Sequence, residues 1–303
     1  MNCLFIYNPN SGKGKVKKKY DFILGELRKK FDSVEVYEST GPKQITGVAY
    51  DACGKYDYLV FSGGDGTFNE VLQGISKAEV KPTLGYIPSG TVNDIARTFK
   101  IKRNIKGAVK NILEGEEKAV DCMKINGEYA MYVCGAGLFT KSSYETDQKN
   151  KRAMGKIAYF VNGALKELKY EHFDVNIETD GYSLNTTAIL LLFINSKSIA
   201  GMPINKDAVL DDGIIDCVVV KHERKKGFFR WLGGLFIVAG YFLIRKKYHN
   251  KNLIRLKGNH FKITTPDNVI WNFDGEKGNS GSIDVSIMHK SIKIIVPKTK
   301  EKK

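Results

Sequence analysis

At 303 residues, with 42% apolar and 27% charged side chains, the chain can bury a large core and is neither a disordered nor a fibrous sequence. Five scattered cysteines (Cys3, Cys53, Cys122, Cys134, Cys217) with no Cys-x-x-Cys pair exclude a disulfide framework and a cysteine zinc site, a reduced intracellular pattern. The net charge of +15 is concentrated, because Lys221 to Lys262 holds twelve Lys or Arg against one acid, Glu223. Such a block points to an anionic membrane face or to nucleic acid.

Taken in order, Cys3–Tyr7 reads as a first strand, too short and lacking the basic lead of a signal peptide. The turn Asn8-Pro9-Asn10-Ser11-Gly12-Lys13-Gly14-Lys15 looks like a phosphate loop but does not fit Gly-x-x-x-x-Gly-Lys-Ser/Thr. Val16, Tyr20, Ile23, Leu24, Leu27 and Phe31 then repeat as one helix face. Val34–Tyr37 alternates as a strand and ends at Ser39-Thr40-Gly41.

The central stretch follows the buried strand Tyr58–Phe61: Gly63-Gly64-Asp65-Gly66-Thr67-Phe68-Asn69-Glu70, running into helical spacing at Val71, Leu72 and Ile75. Glycines in a strand-to-helix turn let the backbone approach a ligand, and amides at a helix N-terminus favour phosphate. Asp65 among those amides would repel a phosphate unless a cation lies between them, and Mg²⁺ is the usual one. Asp65 is read as an exposed turn residue whose partners lie on the ligand; the bland alternative is a helix cap. The pattern repeats after Leu84–Ile87, where Pro88-Ser89-Gly90-Thr91-Val92-Asn93-Asp94 leads through Arg97. Consecutive βα units put both turns at one edge of a parallel sheet.

With these two motifs, and with Leu210-Asp211-Asp212-Gly213 and Asp274-Gly275-Glu276 following in order, the sequence resembles the diacylglycerol kinase family of lipid kinases. Sphingosine and ceramide kinases are related to it. The resemblance covers most of the chain. It implies an ATP site from Asn8, Pro9, Asn10, Ser11, Gly12, Thr40, Gly63, Gly64, Asp65, Gly66, Thr67, Asn69, Gly90, Thr91 and Asp94. Asp65, Asp94 and Asp121 would hold the catalytic Mg²⁺, directly or through water. Asp212, with the carbonyls of Val209 and Ile214, would hold a structural Mg²⁺. Glu276 is expected as the base for the lipid hydroxyl, with Asp274 as helper or metal contact.

Read without that likeness, several of these residues have plainer roles. Asp121 could be a strand-end acid facing solvent, and Asp212-Gly213 and Asp274-Gly275 are turn dipeptides. Asn69 and Glu70 could simply favour the start of a helix.

Strand–helix alternation to Leu113 predicts a doubly wound parallel sheet. Lys118–Asn126 follows as a strand. Beyond Glu128 the texture becomes β-rich: Ala130–Cys134, Asp174–Glu178, Ala188–Ile194, Ile214–Val220, Phe261–Thr264, Val269–Phe273 and Ile283–Ile287, with one helix at Ile157–Leu168. The fold expected is α/β plus all-β: a nucleotide domain over 1–125, completed by 290–303, and a sandwich-like lipid-substrate domain over 126–289. The likeness to the family places the active site in the interdomain cleft.

Phe228–Ile244 is the most apolar segment. Its uncharged part, Trp231–Ile244, would be about 21 Å long as a helix, short of the roughly 30 Å of a hydrocarbon core. With Arg224-Lys225-Lys226 and Arg245-Lys246-Lys247 beside it, it suits a helix lying in the interface; the alternative is a helix packed on the second domain or at a homodimer contact. The expectation is a cytoplasmic kinase, peripheral on the inner membrane face, moving the γ-phosphate of ATP to a lipid alcohol, diacylglycerol first. Other lipid alcohols and NAD are alternative acceptors. A non-catalytic binder of membrane or nucleic acid is the alternative from another class, disfavoured by the full set of acids, and no nucleic-acid partner is expected.

Overall fold

The computed structural model describes residues 1–9, 14–41, 43–138, 172–221, 233–234, 236–238, 240–242 and 249–298. Asn10, Ser11, Gly12, the helix read at Ile157–Leu168 and the basic clusters Arg224–Lys226 and Arg245–Lys247 lie outside the described residues. The chain divides into two units, Met1–Cys122 with His289–Lys303, and Met123–Met288.

In the first unit, β1 (Asn2–Tyr7) pairs in parallel with β2 (Ser33–Glu38) and β3 (Tyr58–Gly63), and β3 with β4 (Thr83–Pro88). The strand order β2-β1-β3-β4 reverses between β1 and β3, which makes the loops after those strands the natural ligand position. β3 and β4 are buried almost throughout, as strands covered on both faces must be. Four helices, α1 (Tyr20–Leu27), α2 (Gln44–Ala52), α3 (Asp65–Ile75) and α5 (Ile105–Glu114), supply that cover; α4 (Asp94–Thr98) is a short turn after β4. α1 packs on α5 and α2 on α3. Right-handed crossovers in this strand order set α1 and α2 on opposite faces. The helix read from Val16 is broken at its start, where Lys17–Lys19 form a 3-10 turn with no buried side chain.

The second unit is antiparallel. After β5 (Glu116–Ile125) come β6 (Glu128–Ala130), β7 (Val133–Gly137), β8 (Phe173–Thr179), β9 (Tyr182–Ile194), β10 (Ile215–Lys221), β11 (Leu253–Gly258), β12 (His260–Thr264), β13 (Ile270–Phe273), β14 (Glu276–Ser280) and β15 (Ile283–Val296). β9 is its axis. Tyr182–Ala188 pairs with β8, while Leu190–Ile194 is flanked by β7 and β10. Its composition changes to match: exposed and polar positions in the first half, unbroken burial from Ala188 to Ile194 in the second. Phe193, Phe261, Trp271 and Phe273 anchor the core beneath it.

Three sequence expectations are corrected here. Ala130–Cys134 is not one strand but the end of β6, a bend at Met131-Tyr132 and the start of β7. β15 runs on past the expected Ile283–Ile287 to Val296, and its last part pairs with β4 in parallel, Ile294 against Leu84. β11 and β14 were not read as strands at all. No helix among the described residues is long and apolar enough to cross a membrane. Within the expected amphipathic segment, Ile237, Val238, Tyr241 and Phe242 are buried and Phe236 is exposed, so at least this portion has a packed face.

Candidate active site

The β3–α3 and β4–α4 turns touch through their backbones. A Cβ on Gly90 would fall 2.6 Å from the Gly64 Cα, and one on Gly63 would fall 2.2 Å from the Thr67 side chain. A larger residue at 90 would therefore force the turns apart, and one at 63 would displace Thr67. Ser89 N–H donates to the Gly63 carbonyl at 2.8 Å, and the Ile95 N–H donates to Asp65 Oδ1 at 3.3 Å. Gly64 caps α3 with extended backbone and without a side-chain bond, so the α3 N-terminus has no side-chain cap bond of its own. Asn93 enters α4 in the left-handed conformation (φ 53°), which Asn tolerates better than most residues, and its Nδ2 donates to the Gly90 carbonyl at 2.8 Å.

Asp65 is thus not the exposed turn residue expected from the sequence, for it is partly buried and holds an amide of the neighbouring loop. Its carboxyl is pushed up to about 6, chiefly by burial and then by the charge of Asp94, against the lowering effect of the amides of Ile95, Asp94 and Asn93. Asp94 is itself buried. Two carboxylates near one another in a half-dry site favour a cation, and this donor set fits Mg²⁺ held with phosphate oxygens and water. The protein groups alone do not enclose it: among the described residues no set of three His, Cys, Asp or Glu could hold a metal.

Asp121, the third expected ligand, is wholly buried in β5 rather than facing solvent. Its Oδ1 accepts from Lys290 N–H at 2.7 Å and lies 3.0 Å from His289 Nδ1. Of the remaining nucleotide residues, Gly66, Thr67 and Asn69 occupy the first turns of α3, and Thr91 is exposed beside Gly90. Thr40 is exposed, with Gln44 Oε1 accepting from its N–H at 3.1 Å, and Asn8 and Pro9 follow β1.

In the second unit Asp274 and Gly275 form the two-residue hairpin between β13 and β14, both at positive φ (53° and 94°). Asp274 is buried to 2% exposure, and its carboxylate accepts from Met131 N–H at 2.6 Å, Tyr132 at 2.9 Å and Val133 at 3.0 Å. These three bonds cause the bend that separates β6 from β7. The Tyr132 hydroxyl returns a bond to the Asp274 carbonyl at 2.9 Å. Glu276, two residues on, is exposed at the start of β14. Asp212 is exposed, its Oδ1 accepting from Ile214 N–H at 3.0 Å in a local turn next to exposed Val209.

Sequence reasoning gave no role to Asn93, His289 or Tyr86, whose hydroxyl also lies at the paired turns. An Asn directly before a helix start is a usable signal for a left-handed entry; the other two contacts are tertiary and have no local signature.

This arrangement sets two backbone-apposed glycine turns and an acid pair at the ends of neighbouring parallel strands. Residues 2–125 match the diacylglycerol kinase catalytic domain, and 133–296 match the YegS C-terminal NAD kinase beta sandwich-like domain. A diacylglycerol kinase of Bacillus subtilis is 30% identical over 97% of this chain and 96% of its own length. One from Staphylococcus epidermidis is 33% identical over 97% and 91%. The crystal structure of a diacylglycerol kinase from Bacillus anthracis superposes with a TM-score of 0.80 at 25% identity, covering 97% of this chain and 96% of that one. The chain belongs to the diacylglycerol kinase family of phosphotransferases.

Proposed function

We propose that the protein transfers the γ-phosphate of ATP to a lipid hydroxyl, with diacylglycerol as acceptor and phosphatidic acid as product. The observation that carries this is the apposition of Gly64 and Gly90 with Asp65 and Asp94 at the same two turns. In this reading the amides and hydroxyls of Gly63, Gly64, Gly66, Thr67, Gly90 and Thr91 hold the phosphates, with Asn69 supporting the α3 turn. Asn8, Pro9 and Thr40 line the rest of the nucleotide site, joined by Asn10, Ser11 and Gly12.

Mg²⁺, held by Asp65 and Asp94 with Asp121 acting through water, would neutralise charge on the transferring group. The acceptor hydroxyl gives its proton to Glu276 as its oxygen bonds the γ-phosphorus; the bond from that phosphorus to the bridging oxygen breaks and ADP leaves. Asp274 acts as the residue that fixes the hairpin presenting Glu276, and Asp212 with the Val209 and Ile214 carbonyls is the proposed structural Mg²⁺ loop.

Peripheral attachment to an anionic membrane belongs to the same proposal. Exposed Phe236 and the exposed cations Arg255, Lys257 and Lys262 support it. Transfer of label from γ-labelled ATP to diacylglycerol, ceramide and sphingoid bases in mixed micelles, with NAD alongside, tests the assignment. Labelled phosphatidic acid is the result expected. Label in NAD, the acceptor that the sandwich-like match makes the second reading, or in no acceptor at all would overturn it.

A further inference from the structure

Tyr86 is a fully buried residue of β4 in what the sequence presents as an apolar strand. Its ring is fixed from two sides, stacked on Phe61 (centroids 5.2 Å, 28°) and edge-on to Phe68 (5.3 Å, 85°). Those contacts would be kept by Phe, so packing does not explain the hydroxyl. The oxygen lies 3.2 Å from the Gly63 carbonyl and 3.4 Å from Asn93 Oδ1. One acceptor belongs to the β3–α3 turn and the other to the β4–α4 turn. Asn93 is oriented for this contact, because its Nδ2 is already committed to the Gly90 carbonyl.

A phenol has one proton, and both distances exceed the roughly 2.8 Å optimum for O–H···O. The hydroxyl therefore bridges two loops without saturating either. Burial, followed by the charges of Asp65 and Asp94, holds its ionisation well above the ordinary tyrosine value, so it stays a donor at any working pH.

We propose that the Tyr86 hydroxyl is a positioning group for nucleotide binding, a clasp that acts through Asn93 and Gly63 to keep the two phosphate turns in register. This rests on the nucleotide reading given above. It differs from a structural role in where the effect would fall. A clasp pre-organises the binding-competent arrangement, and its loss reduces apparent affinity by the fraction of molecules no longer competent.

The test is Tyr86→Phe, with Asn93→Gly and the double variant. Gly keeps the left-handed backbone at 93 and removes both the acceptor and the Nδ2 bond to Gly90. The expected result is a rise in KM for ATP, and in Kd for Mg·ADP by calorimetry, on the order of five- to tenfold. KM for the lipid and kcat would change by less than about twofold, and the double variant would fall short of the product of the two single effects, because the Tyr86–Asn93 contact is lost in both. A folded Tyr86→Phe protein with unchanged ATP KM, or two single effects that multiply, would overturn the clasp. Failure of the wild type to label any lipid would refute the kinase reading instead, and the Mg·ADP binding arm would still decide the role of Tyr86.

Discussion

Asp65-Gly66 and Asp274-Gly275 are the same dipeptide after a buried strand, and both carboxylates face backbone amides, but Asp65 has a second carboxylate acting on it at its turn. Asp274 accepts three backbone N–H groups and is almost fully buried, and its own backbone is left-handed. Its oxygens are bonded to the backbone they hold in place. Asp65 also faces backbone amides, those of Ile95 at 3.3 Å, Asp94 and Asn93, but burial and the neighbouring Asp94 carboxylate outweigh them and its ionisation is penalised. The first pattern is that of a structural anchor; the second is what the proposed cation and nucleotide site requires of Asp65.

The comparison can be broken most forcefully at Asp274. Asp274→Ala would strand three buried N–H groups and force Ala into a left-handed conformation. A loss on the order of 3 kcal/mol or more is expected, a fall in melting temperature of roughly 6–12 °C. Asp274→Asn, which keeps one acceptor and tolerates the backbone, should lose less. A melting temperature unchanged in both would mean that Asp274 is not an anchor.

Asp65→Asn should do the reverse. Turnover falls on the order of a hundredfold while the fold survives. The sign of its pH dependence follows from the raised value. Protonated Asp65 stabilises the free fold fully below the ordinary carboxylate range, and that contribution is lost as pH rises through about 6. The variant lacks this loss, so near neutral pH it should melt no lower than wild type, and scanning calorimetry across that pH range checks it.

Glu276→Gln sharpens the contrast within the hairpin itself, since Glu276 is exposed two residues beyond the anchor. Its kcat should fall far more than its KM for ATP rises. A preserved kcat with altered lipid affinity would make Glu276 a positioning residue. The smallest effect is expected at a third Asp-Gly turn: Asp212→Ala removes a local bond to Ile214 and the proposed cation ligand. Its melting temperature should drop slightly and respond less to added Mg²⁺; an undiminished response would leave an ordinary turn.

What could be read from the sequence follows the same division. Strands β1, β3 and β4 carry runs of apolar residues because both faces are covered, and the turns after β3 and β4 carry glycines because two backbones meet there. These local causes leave local signatures. β14, Glu276–Ser280, has no β-branched or aromatic residue and is a strand only because the hairpin turns it against β13. β11 was hidden by Arg255 and Lys257, which read as part of a basic block when they are the exposed positions of an alternating strand. The bend at Met131-Tyr132 is made by a carboxylate more than 140 residues away in sequence, and the Tyr86 contact joins two loops, so neither has a pattern to find.

The most direct measurement is a carboxyl NMR titration of Asp65, alone, with Mg·ADP, and in an Asp94→Asn background. The free protein should titrate near pH 6, and the midpoint should fall when the neighbouring charge is removed and fall further when Mg·ADP binds. An ordinary midpoint that neither change moves would show that Asp65 is not poised for a cation and nucleotide, and the account of the site would be wrong.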